Sequence, residues 1–169
     1  MVLSTLGVAI AFFVVLWVAS LMLGDASIVD RFWGIAFIVI ASAASAASDG
    51  AEERVRLVIA LTLLWGVRLS LHLTVRNLGG GEDFRYQAMR RHWGSSFAVV
   101  SLLTVFGLQA IIAWTVSLPL QVAISAPRPI QLTALDAWGL RSGRSASPSK
   151  RSVTGSSQAS RRIRAAEGS

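Results

Sequence analysis

Residues Leu3 to Leu23 carry no charge and are rich in Leu, Val, Phe and Ala. At about 1.5 Å of rise per residue, a helix of that length crosses the roughly 30 Å hydrocarbon core of a bilayer. Lipid offers the backbone no hydrogen-bond partners, so a segment this apolar must close its own N–H···O=C bonds, which a single segment does as a helix. A cleaved signal peptide fits poorly, because no basic residue precedes the run and its apolar length is too great. Three further apolar runs follow, Phe32–Ser48, Val55–Val75 and Phe97–Leu118. The expected fold is an all-α polytopic membrane protein with four transmembrane helices, at about 3–23, 32–48, 55–75 and 97–118. The second run is short for a span, and its "ASAASAAS" half (Ala41–Ser48) is small enough to admit a close neighbour. Pro119, Pro127 and Pro129 break up what comes after the fourth run, and Leu132–Leu140 begins to look apolar again.

Charge divides the chain in two. The net charge of +7 suggests an acidic partner, yet residues 1–140 hold nine basic and eight acidic side chains. Residues 141–169 hold seven basic residues against Glu167 alone. A nucleic-acid reading would rest on that Arg/Ser-rich segment, so no nucleic-acid partner is expected for the body. There is no cysteine, and the two separated histidines, His72 and His92, form no metal-ligand pattern. The first and third loops carry Arg31, Arg76, Arg85, Arg90 and Arg91; the other side carries Arg54, Arg56 and Arg128. The excess of arginine predicts that the first and third loops are cytoplasmic. The basic tail would then fall on the opposite side, against the same rule.

The candidate chemistry lies in "LLWGVRLSLHLTVR" (Leu63–Arg76) and "GGGEDFRY" (Gly79–Tyr86). Arg68, His72 and Arg76 recur every fourth residue and so share one helix face beside Trp65. An ionisable group within a span usually faces a cavity or a partner, with snorkelling to the interface as the alternative for Arg68. Asp30, at the same membrane face, is the expected counter-charge. The glycine run matches no phosphate-binding loop, since Glu82 and Asp83 would repel an anion; a turn is the simpler reading. Asp83 and Arg85 are also placed to pair with charges on neighbouring helix ends. "RYQAMRRHW" (Arg85–Trp93) reads as an interfacial segment touching anionic lipid or, alternatively, an anionic cofactor. Gln109 is a polar group in mid-span, either interhelical glue or a substrate contact. No Ser-His-Asp constellation is legible.

"DASIVDRFWG", the Leu63–Tyr86 stretch and "VFGLQAIIAWTVSLP" resemble, in order, an uncharacterised bacterial membrane family of the steroid 5-alpha-reductase-like superfamily. The resemblance covers about residues 25–140. Asp30, Trp33, Arg68, His72, Arg76, Asp83, Arg85, Tyr86 and Gln109 match its pattern. It implies a helical enzyme of the bacterial cytoplasmic membrane that reduces a lipid-like enone with NADPH. Tyr86 or His72 would donate a proton or hydrogen bond. Arg68 and Arg76 would help form a polar cavity, with Asp30 and Asp83 holding those arginines. Membrane lipid and a lipid-like substrate are the implied partners; no metal is expected and the oligomeric state is not legible. The family's C-terminal cofactor segment has no counterpart here, so NADPH belongs to the intact family and this chain is expected to be inactive. Read one base out of frame with GC-rich wobble bases, Arg141 onward gives an apolar helix followed by D-W-Q-L and F-K-A-D-P, which resembles the family's continuation. The expectation is thus a truncated, frameshifted member, with 1–140 the N-terminal part of a reductase-like domain and 141–169 a disordered segment. The alternatives are a non-enzymatic membrane protein acting by helix association and a membrane methyltransferase relative.

Overall fold

The structure, a computed structural model, describes residues 2–77 and 79–127. The apolar start at 132–140 and the basic segment 141–169 lie outside the described residues, as does the domain boundary expected between them. Every element among the described residues is helical: α1 (Val2–Leu23), α2 (Ile28–Arg31), α3 (Trp33–Ala46), α4 (Glu52–Arg76), α5 (Phe84–Trp93), α6 (Phe97–Ser101), α7 (Leu108–Val116) and α8 (Leu118–Ser125). A π-helical turn, Leu102–Gly107, joins α6 to α7. Three stretches are long and apolar enough to cross a membrane: Val2–Leu23, Glu52–Arg76 and Phe84–Val116.

Two expectations change. The second apolar run forms α3, a helix of 14 residues, and about 21 Å of helix falls short of a bilayer core. The polar residues Asp30 and Arg31 lie in α2, just ahead of it. Pro119, expected to break the chain, instead sits in the first turn of α8. The amide hydrogen that proline lacks would have had no helical partner there.

Local chemistry sets the ends of the elements. α1 stops at Gly24, whose φ of +67° only glycine adopts freely. The Asp25 N–H reaches back to the Ser20 carbonyl at 3.1 Å, which closes the helix with a six-to-one bond. α4 opens with Glu52 and Glu53 and ends with Arg76, an order that complements its dipole. α5 is capped by Asp83, whose carboxylate accepts the Arg85 N–H at 2.9 Å.

α3 is the central helix and touches α1, α4, α7 and α8. One core joins Ala9, Phe13 and Leu16 of α1 with Ala36 and Ile40 of α3, with Phe106 of the π turn and with Ala110 of α7. A second cluster packs Ala41 and Ala44 against Ile124 of α8 and Val58 of α4. The small residues of α3 therefore admit a neighbour as expected. The closest approach, however, is at its other end. A β-carbon on Gly34 would stand 2.1 Å from the Gly66 carbonyl oxygen, and one on Gly66 would stand 2.5 Å from the Gly34 carbonyl oxygen. The two backbones thus meet face to face, in the manner of small-residue contacts between membrane helices.

Gly34→Ala or Gly66→Ala should therefore force α3 and α4 apart at a cost of about 1–3 kcal/mol. Gly7→Ala, where a β-carbon meets nothing within 4 Å, should be neutral or slightly stabilising. Thermal unfolding in detergent, followed by helical circular dichroism, checks the contrast.

Candidate active site

The loops that begin α2 and α5 are tied together by carboxylates. Glu82, its side chain only 9% exposed, takes both Nε (3.2 Å) and Nη2 (2.8 Å) of Arg90 and also accepts the Ala26 N–H at 2.9 Å. Arg90 additionally donates to the Gly24 carbonyl at 3.3 Å and lies 4.3 Å over the Phe97 ring. Asp25 accepts from the backbone and hydroxyl of Ser27 at 2.8 and 2.6 Å and from Arg31 at 2.6 Å. The Ser27 hydroxyl oxygen in turn accepts the Asp83 N–H at 2.8 Å. A charge buried to this degree is tolerated only when its partners are this complete.

This knot decides where α5 lies. Were the chain from Tyr86 to Gln109 one straight helix, those residues would stand about 34 Å apart. They instead line one cleft, because Gly94, at φ +50°, breaks the axis after α5 and the knot holds the start of α5 against the first loop. The cleft has a volume of about 550 Å³. Asp30, Trp33, Arg85, Tyr86 and Gln109 form its polar side; Met89, Val105, Leu108 and Ile112 form most of the rest. Tyr86, 8% exposed, points its hydroxyl at the Asp30 carboxylate, 3.3 and 3.4 Å away. Arg85 reaches the same carboxylate at 3.4 Å and Asp83 at 3.0 Å. The Trp33 indole N–H donates to the Gln109 side-chain oxygen.

Five of the nine residues singled out in the sequence, Asp30, Trp33, Arg85, Tyr86 and Gln109, thus share one cleft. Arg76 and Asp83 line a neighbouring polar cleft of about 380 Å³ with Ser27, Gly81 and Glu82. Arg68 and His72 line neither cleft and are exposed on α4. The expected pairing of Asp30 with Arg68 is therefore corrected: Asp30 serves Arg85 and Tyr86, and among the described residues Arg68 has no ion-pair or hydrogen-bond partner. The cause is helical phase. α4 buries Thr62, Gly66 and Ser70 against its neighbours, and the row through Arg68 begins two residues on, about 200° around the helix. The Asp83 carboxylate likewise accepts hydrogen bonds from Arg85, while Arg76 acts on it only as a more distant charge.

The sequence pattern does not single out Glu82, Asp25 and Ser27 as organising groups; the adjacency of Glu82 to Asp83, both facing arginines on α5, is the available signal. Thr104, Leu108 and Ile112 also line the cleft, and their spacing at every fourth residue beside Gln109 was legible. Among the described residues no three His, Cys, Asp or Glu side chains are grouped to hold a metal ion. The cation on the cleft, Arg85, is shared between two carboxylates, so these residues do not fit the phosphates of a nicotinamide dinucleotide.

Hydrogen bonds from the side chain and backbone of Arg85 hold the Asp83 carboxyl below its ordinary value of 3.8. Burial alone would raise Asp25, but hydrogen bonds from Ser27 and Arg31 and the charge of Arg31 outweigh it, and Asp25 also lies below 3.8. Depressed carboxyls stabilise the fold above their unfolded value and lose that contribution as pH falls through the folded one. Amide-exchange protection at the first turn of α5, corrected for intrinsic rates, should stay level from pH 7 to about 4 and decline below it. In Asp83→Ala, which removes the cap, that turn should be weakly protected throughout.

Residues 16–141 match a family model described as a protein of unknown function, DUF1295, and the chain belongs to that family. The family is a steroid 5-alpha-reductase-like membrane family. No curated protein and no solved structure matches the chain.

Proposed function

We propose that this integral membrane protein holds a neutral, lipid-like enone in the cleft between α2–α3, α5 and α7, the substrate side of an NADPH-dependent reductase. The observation that carries the reading is Tyr86: a buried phenol at the polar edge of a largely apolar cleft, with a carboxylate behind it. An apolar body gains from leaving lipid only where shape and a few polar groups single it out. A carbonyl oxygen brought to Tyr86 would accept its O–H in place of Asp30, and the conjugated double bond would be polarised toward attack at its far carbon. Until that exchange, Asp30 is the acceptor that keeps the phenol turned to the cleft, and Arg85 offsets its charge.

Because the cleft offers no free cation for phosphates, no part of it is assigned to the cofactor, and this chain is proposed not to bind NADPH tightly. The first and third loops, with the arginine-rich α5, are proposed to face the cytoplasm, which places the polar edge of the cleft at the inner face of a bacterial cytoplasmic membrane.

Binding in detergent tests the reading. A rigid polycyclic enone should quench tryptophan fluorescence through Trp33, and Tyr86→Phe should weaken that binding about tenfold, the loss of one well-placed hydrogen bond. Micromolar NADPH binding by calorimetry would overturn the cofactor assignment. An enone affinity unaltered in Tyr86→Phe would sink the role of the phenol.

A further inference from the structure

Accounting for the hydrogens around the cleft isolates one group. The Thr104 hydroxyl donates to the Val100 carbonyl at 2.7 Å, Tyr86 is turned to Asp30, and the Trp33 N–H is spent on Gln109. An indole N–H donates only, so it must meet the amide oxygen of Gln109, and this fixes which way the carboxamide points. The amide nitrogen of Gln109 then faces away from Trp33 with no acceptor among the described residues. It is the one neutral donor on the cleft left without a partner there.

The chain aims this group deliberately. Gln109 follows the π turn Leu102–Gly107 by two residues. Such a turn closes i→i+5 bonds, is less favourable than an α-turn, and recurs at functional sites. The residue it inserts rotates everything after it by about 100° relative to a continuous α-helix. Without that rotation, Gln109 would swing out of line with Trp33.

We infer that the Gln109 carboxamide is a specificity-determining donor for an acceptor oxygen on the bound molecule, aimed by Trp33 and by the π turn. This rests on the reading of the cleft as a binding site for a neutral lipid-like molecule and narrows that class to molecules whose oxygen function reaches Gln109.

The test uses the full chain in detergent and two probes, a rigid polycyclic enone and the same skeleton with the oxygen removed. With a donor at Gln109 and another at Tyr86, the native protein should prefer the enone about a hundredfold. Gln109→Met should lower that preference about tenfold, to the part Tyr86 supplies, and leave hydrocarbon affinity within twofold. Trp33→Phe, which keeps the ring contact with Phe37 but loses the N–H, should reduce the preference in the same sense. So should deletion of Leu103, a side chain 68% exposed in the π turn. A preference unaltered in Gln109→Met, or equal loss of both probes, overturns the inference. Loss in Tyr86→Phe with none in Gln109→Met also overturns it and leaves the cleft assignment intact. A ligand-free measurement stands beside these: the indole N–H marker in ultraviolet resonance Raman, isolated as the difference from Trp33→Phe, should shift in Gln109→Met. An unshifted marker overturns the orienting role of Trp33 whatever the probes do.

Discussion

The cleft depends on Glu82. Its carboxylate joins a guanidinium on α5 to a backbone N–H of the first loop, so two parts of the chain more than fifty residues apart converge on one charge. Asp83 extends the tie through Ser27 and, by capping α5, fixes where that helix begins. Without this knot α5 would be held to the other helices mainly by its packing on α6 and by the contacts of Arg85 and Tyr86 with Asp30. Tyr86 and Met89 would then not lie over the lower part of the cleft. A salt bridge at a water-exposed surface contributes little. One whose carboxylate is nearly buried and fully hydrogen-bonded has much more to lose when a partner is removed.

The apolar part of the bundle supplies the other wall. Gly34 and Gly66 let α3 and α4 meet backbone to backbone, and Trp33 stands next to that contact on α3. Its ring lies 5.7 Å from Phe37, which lies 5.4 Å from Trp65 on α4. The indole is thus positioned by a close glycine contact and an aromatic row, and it positions Gln109 in turn. Rigid packing of this kind lets a single polar group be aimed inside a membrane protein, where water is not present to compensate an ill-directed one.

Hydrophobicity and helix chemistry were legible in the sequence because they are local. The first and third runs became α1 and α4 within a few residues, and the Asp83 cap and the Gly24 stop follow from residue type. The chain past Phe97 was legible as apolar, but its π turn was not, since nothing in Leu102–Gly107 marks an inserted residue. Charge pairing is not legible from expected depth alone: Asp30 meets Arg85, and α4 turns Arg68 away. The phase of α4 is set by Gly66 packing on Gly34, a contact between two residues that carry no side chain to signal it. The grouping of Asp30, Trp33, Tyr86 and Gln109 was legible only as a family pattern; the turn at Gly94 and the knot at Glu82 make it a place.

The charge pattern of that place limits what it can hold. Asp30 and Asp83 share Arg85, so an added anion would meet two carboxylates before it met a free cation. An added cation would have to displace the guanidinium from Asp30 and leave its own hydration shell in a cleft walled largely by Met89, Val105, Leu108 and Ile112. Both steps are costly at low dielectric. A neutral molecule meets neither cost. On the proposed reading it would replace lipid along the apolar wall and need only to match one donor at Gln109 and one at Tyr86, so selectivity would rest on where its oxygen atoms lie.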